Sequence, residues 1–181
     1  HHEYDTNYGL SESIGPGCVH LGMGNIHKVG AIGVPGYGWE VRIVDENRQT
    51  ATDGIFACGN VLQVHDLVDY VSDEAELAGI GATNYVKGML AGGKTVETKP
   101  GYGVRYVLPQ RIHTDAKQDV SLFLRVSQPF GKVKFTVRDG EKELAVVKRL
   151  KAAPGEMEKI TLKQAQLSAI TGPVEVSLEE V

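Results

Sequence analysis

Past residue 102 the apolar positions fall in short runs, each long enough for a strand and too short for a helix. The runs are Val104–Leu108, Val120–Val126, Val133–Val137, Leu144–Leu150, Met157–Leu162 and Val174–Leu178. Several alternate apolar with polar residues, as a half-buried strand does, and they recur at intervals of about ten residues with turn residues between them. Asp139-Gly140 is a hairpin turn signal, and Lys163 to Leu167 fits a single helical turn. The pattern predicts a small β-sandwich, immunoglobulin-like, over residues 102–181.

The first half reads differently. Tyr37 to Val44 alternates, with Trp39, Val41 and Ile43 on one side and Glu40 and Arg42 on the other, and Asp45-Glu46-Asn47-Arg48 makes a turn. Ile55-Phe56-Ala57-Cys58 is a four-residue apolar run, which predicts a short buried strand. Gly59 follows it and lacks a Cβ, so a ligand can come close to the main chain there. A long helix is expected next, with Asp69 or Ser72 as its cap and Asp73, Glu74 and Glu76 near its positive end. Ala75, Ala78, Ala82, Tyr85, Val86 and Met89 recur at helical spacing, and Gly79, Gly81 and Ala82 are small enough to let another backbone pack close. Ala91-Gly92-Gly93-Lys94 ends the helix, and Thr95 to Tyr102 reads as a linker turning at Pro100-Gly101.

Charge divides along the same line. Residues 1 to 100 carry 6 Lys and Arg against 13 Asp and Glu, and residues 101 to 181 carry 13 against 10. The split supports two units, and because basic and acidic residues alternate in the second half, no nucleic-acid partner is indicated. No apolar run approaches the roughly 18 residues of a membrane span, so a soluble cytoplasmic protein is expected.

Other chemistry is thin. Cys18 and Cys58 lie forty residues apart with no C-x-x-C pair, so dithiol chemistry is not expected. Cys18, His20 and His27 miss the ligand spacings of zinc sites, and no metal centre is expected. In the glycine-rich segment from Glu3 to Gly38, Gly22-Met23-Gly24 starts like a dinucleotide fingerprint, but position 27 is His where the third glycine belongs. His65 and Asp66 are neighbours on an extended segment and point opposite ways, so they need not form an acid/base pair. His113 reads as exposed surface.

One pattern is more specific. Thr50, then Gly54, the apolar run Ile55-Phe56-Ala57-Cys58, and Gly59-Asn60 resemble the second flavin-contacting motif of the pyridine nucleotide-disulfide oxidoreductases, the two-dinucleotide-fold flavoproteins that include thioredoxin reductase. Asn60 stands where that family has Asp. An amide oxygen can still accept a hydrogen bond from a ribityl hydroxyl, without charge assistance. The continuation from Asn60 to Ser72 is similar to the branch of NAD- and FAD-dependent oxidoreductases that accompany anaerobic glycerol-phosphate-type dehydrogenases.

The resemblance, over roughly residues 40 to 181, implies a partial FAD-binding α/β domain over residues 1–98, comprising a hairpin, a buried strand and a long helix behind a glycine-rich segment. It implies Gly59, Asn60, Asp69, Tyr70 and Val71 as cofactor-binding residues, FAD as cofactor and NAD(P)H as hydride donor in the complete enzyme. It also implies that the chain is the C-terminal part of a longer oxidoreductase, inactive alone, with no catalytic residue of its own. Its partners are then the remainder of the flavoenzyme or a dehydrogenase subunit, or a second copy in a homo-oligomer. The alternatives are a non-catalytic partner-binding module derived from such an enzyme, or a structural subunit without a ligand.

Overall fold

The computed structural model describes residues 6–10, 15–20, 34–35, 44–50, 52–90 and 92–181, and the chain divides into two compact units, 1–42 and 43–181. In the first unit, β1 (Thr6–Leu10) pairs antiparallel with β2 (Gly15–His20), which pairs in turn with β3 (Val34–Pro35). The Gly22–Gly24 loop, His27 and the run from Tyr37 to Ile43 lie outside the described residues.

The second unit is rich in strands. Its helices are α1 (Val68–Val86) and the four-residue α2 (Gln164–Leu167). Its strands are β4 (Thr95–Pro100), β5 (Val104–Leu108), β6 (Arg111–His113), β7 (Val120–Val126), β8 (Val133–Asp139), β9 (Lys142–Arg149), β10 (Glu158–Leu162) and β11 (Val174–Glu180). They make one sheet in the order β10-β7-β5 and a second in the order β6-β4-β11-β8-β9. All the pairs are antiparallel except β4 with β11. The alternation drives the assembly. Val120, Leu122, Leu124 and Val126 of β7 face inward and are buried, as are Val133, Phe135 and Val137 of β8 and Val174, Val176 and Leu178 of β11. Together with Ile160 and Leu162 they form a single apolar cluster shared by both sheets.

Two strands escaped the sequence reading. Thr95–Pro100, expected as linker, is β4, held between β6 and β11 with Val96 and Thr98 buried. Its lone Val and closing Pro hide the period-two signal, and the strand exists because both neighbours accept it. β6 is only three residues long, shorter than any run that periodicity detects.

Helix α1 also departs from expectation. It begins at Val68 with Leu67 as N-cap and no side-chain cap, so neither Asp69 nor Ser72 caps it; Ser72 Oγ instead donates back to Val68 O. It ends at Val86, and Gly88, with φ of +65°, terminates it before the Ala91–Lys94 stop. The buried stripe is Glu74, Ala78 and Gly81, while Ala75, Tyr85, Val86 and Met89 are exposed. The two helical glycines separate cleanly. A Cβ on Gly81 would sit 2.4 Å from Asn47 O, whereas one on Gly79 would meet nothing within 4 Å. Gly81→Ala is therefore expected to destabilise by about 1–3 kcal/mol through overpacking, and Gly79→Ala to stabilise by roughly 0.5–1 kcal/mol. Thermal melts of the two variants check the opposite signs. No described helix is long and apolar enough to cross a membrane.

Candidate functional site

The motif residues build a tight corner. Thr50 Oγ1 and the main chain of Thr52 are within 3.2 Å of each other twice over, Thr50 N donates to Ile55 O at 2.8 Å, and Gly54 takes φ of +75° to close the loop. The run after it is not the buried strand that its composition predicts. Phe56 makes an isolated bridge to Gln49, Ile55 is half exposed, and Phe56, Ala57 and Cys58 are half-buried. Apolar content alone does not make a strand where only one partner residue is available to pair. Gly59 then turns the chain at φ of +71° into a 3₁₀ turn, Gly59–Val61.

Behind this corner lies a buried polar cluster centred on Glu74. Glu74 Oε1 accepts from Arg48 Nε at 3.0 Å; its Oε2 accepts from Gly59 N at 2.8 Å and lies 2.8 Å from His65 Nε2. The side chains of Arg48, His65 and Glu74 are 2 %, 3 % and 4 % exposed. Burial pushes the Arg48 guanidinium below its ordinary value, and Glu74, followed by Asp45 and Glu46, pushes back. Arg48 also adopts φ of +66°, a conformation that L side chains rarely take, with its guanidinium 5.9 Å over the Phe123 ring. His65 Nδ1 is buried without a hydrogen-bond partner.

The first half of α1 and the sheet β10-β7-β5 enclose a cleft of about 260 Å³ in front of this cluster. Tyr70, Asp73, Glu74 and Leu77 line it from the helix, Ser121 and Phe123 from β7, and Lys159 from β10. Lys159 Nζ lies 5.5 Å from the Phe123 ring.

A second junction joins Asp45 and Glu46 to His113. Their ligating atoms all lie within 4.8 Å of one another, the geometry of a possible metal centre. Their hydrogen bonds describe something else. Glu46 accepts from both His113 N and His113 Nδ1 at 3.0 Å, and Asp45 Oδ1 accepts from the amides of Asn47 and Gln49. His113 is thus half-buried rather than exposed, because this turn folds over the end of β6. The Glu46 hydrogen bond raises the imidazole above its ordinary value; burial opposes it, and the charges of Glu46, Asp45 and Asp115 add to it. Burial and then Glu46 raise the Asp45 carboxyl as well, against the two amides. His113 thus holds its proton more tightly folded than unfolded, so its contribution to stability is fully present below an ordinary imidazole pKa of about 6.5 and is lost as pH rises through the raised folded value; that of Asp45 has the same sign but is fully present only below an ordinary carboxyl pKa of about 3.9. A melting temperature that falls between about pH 6 and pH 8 in the wild type, and falls less in His113→Gln, is the expected result; equal slopes would remove His113 as the cause.

The residues singled out from sequence are not equivalent in space. Gly59 is buried, its N–H is taken by Glu74, and a Cβ on it would meet Val71 Cγ1 at 3.4 Å. The glycine is therefore required by its backbone angle. Val71 is half-buried against it, while Asn60, Asp69 and Tyr70 are exposed, with Asn60 Oδ1 accepting from His65 N at 3.4 Å. His65 and Asp66 bond different partners, Glu74 and Arg125. Sequence reasoning missed Arg48, Glu74 and His65 as a unit. The available signal was Glu74 sharing a helical stripe with Ala78 and Gly81, a carboxylate in line with residues too small to be solvated surface.

Fold and site define a strand-rich mixed α/β protein, in which a corner-and-helix segment packs on a two-sheet core through buried charges. No protein-family model, curated protein or solved structure matches the chain.

Proposed function

We propose that this chain is the C-terminal part of an FAD-dependent NAD(P)H oxidoreductase of the two-dinucleotide-fold type, supplying half of the flavin site together with an accessory β domain. The observation that carries the reading is the corner at Thr50, Gly54, Gly59 and Asn60, leading within a few residues to a helix start that no side chain caps. A helix start left open in this way presents peptide N–H groups and positive dipole potential to an electron-rich ligand edge. Asn60 is exposed beside the corner and suits a ribityl hydroxyl; Asp69 and Tyr70 are exposed on the first turn. Gly59 contributes conformation rather than a hydrogen bond, since its N–H is committed to Glu74. Val71 packs behind it.

When bound, FAD supplies the capacity to take a hydride from NAD(P)H and pass electrons on. The residues of this chain bind and orient it, and place helix N–H groups where negative charge gathers on reduction. The exposed apolar side chains of Ile55, Val61, Val64, Leu67 and Val68 support the view that this face is completed by the remainder of the flavoenzyme.

FAD titration of the purified chain, followed by quenching of flavin fluorescence and by thermal shift, tests the reading. Saturable quenching and a raised melting temperature are expected, with both lost in Gly59→Val, where a branched side chain cannot hold the positive φ. A wild-type chain that FAD neither stabilises nor quenches would sink the flavin half-site and favour a non-catalytic partner-binding module.

A further inference from the structure

Strand β7 points Val120, Leu122, Leu124 and Val126 into the core, which leaves Ser121, Phe123 and Arg125 on the outer face. In a free-standing sandwich those three side chains face water. Here all three are half-buried. Phe123 lies under Arg48, and Arg125 reaches into the loop that joins the Gly59 corner to α1.

Arg125 uses its whole guanidinium. Nη2 donates to Val64 O at 2.8 Å and to Asp66 Oδ1 at 2.5 Å, Nη1 donates to Pro154 O at 3.1 Å, and Nε donates to Tyr106 Oη at 3.2 Å. The partners close a ring. Asp66 Oδ2 accepts from Met157 N at 2.7 Å, and Tyr106 Oη donates to Gln63 Oε1 at 3.3 Å. Three loop residues, Gln63, Val64 and Asp66, are therefore tied to β5, β7 and the chain preceding β10, across 43 to 91 residues of sequence. Burial pushes the Asp66 carboxyl up, but Arg125 and the Met157 amide outweigh it and hold the carboxyl below its ordinary range. The loop's other anchor is His65, whose Nε2 lies 2.8 Å from Glu74 Oε2 and whose N donates to Asn60 Oδ1 at 3.4 Å; Val64, Asp66 and Leu67 on either side of it are exposed, and α1 begins immediately after.

We infer that Arg125 is a positioning residue, and that the β domain acts through it as a jig that sets the loop at residues 63–67 and so aims the first turn of α1. The aim matters for flavin only if the function proposed above holds; the clamp itself does not depend on that reading. Planar, four-partner recognition is specific to a guanidinium, since a lysine ammonium is a point donor that cannot serve four acceptors so far apart.

The test uses the full 181-residue chain, with Arg125→Ala, Arg125→Lys and Asp66→Asn compared by hydrogen exchange and by titration with FAD as the probe. For Arg125→Ala, amides at 62–69 should exchange at least about tenfold faster, while those of β8 and β11 keep their protection, because the loop opens without the core. Arg125→Lys should recover only part of the protection. FAD affinity should fall at least about tenfold in Arg125→Ala, with a changed visible spectrum for the flavin still bound. Unchanged exchange at 62–69 would overturn the clamp, and faster exchange with unchanged FAD affinity would overturn the positioning role. A wild type that binds no FAD while Arg125→Ala exchanges faster would retain the clamp and discard only the flavin reading.

Discussion

Replacing Glu74 with alanine is expected to cost about 3–5 kcal/mol, because it leaves the buried Arg48 charge without the carboxylate hydrogen-bonded to it. Three groups lose an acceptor at once: Arg48 Nε, the amide of Gly59 and His65 Nε2. Arg48 cannot escape by releasing its proton, since guanidinium stays charged. Glu74→Gln should fall between, since one carbonyl oxygen cannot serve all three donors. Arg48→Met with Glu74→Leu should cost less than the sum of its single variants, because the desolvation of both charges disappears together. Denaturant melts of the five variants, the two singles of the pair included, check the series. Glu74→Ala within about 0.5 kcal/mol of wild type would mean that the cluster is hydrated and that the buried geometry is wrong.

Phe135→Ala is expected to be comparably severe, at about 3–5 kcal/mol. Phe135 is 0 % exposed in β8, paired with Leu178 of β11 on one side and Val147 of β9 on the other, so truncation opens a cavity where two strands meet and neither can collapse without breaking its ladder. Val146→Ala on β9, at 40 % exposure, is the control and should change stability by under about 0.5 kcal/mol. Comparison of the two severe variants also asks how far the corner-and-helix segment and the sheets unfold together. A single transition that shifts in both Glu74→Ala and Phe135→Ala marks residues 43–181 as cooperative, while a separate early transition confined to Glu74→Ala marks a detachable layer.

Within residues 43–181, the corner-and-helix segment meets the sheets along a seam that carries charged side chains. Glu46 meets His113, Arg48 meets Phe123, and Arg125 meets Asp66, so each junction joins residues 44–86 to the sheets through a charged side chain. Such contacts are directional, and they fix the orientation of a helix that buries only Glu74, Ala78 and Gly81. The same contacts explain why His113 is drawn out of solvent.

Strands β5, β7, β8, β9, β10 and β11 lie where the apolar runs place them, and α2 falls on the expected turn, because alternation with period two and hairpin residues such as Gly140 are local properties that every neighbour reinforces. The helix after the Gly59 corner was equally legible, but its ends were not. Caps depend on which residue turns first, and Leu67 does so without a capping side chain. β4 and β6 were illegible because their support comes from β11 and from each other, not from their composition.

What the sequence determined alone is therefore the set of segments able to bury one face; the left-handed angles of Gly54 and Gly59 are visible only in the structure. What only the tertiary structure decided is which charges leave water. Glu74 could have faced solvent from any helix, and Arg125 from any strand. Each is taken inside because a partner from a distant segment meets it there, and the cost of burying a charge is met only when both partners arrive together.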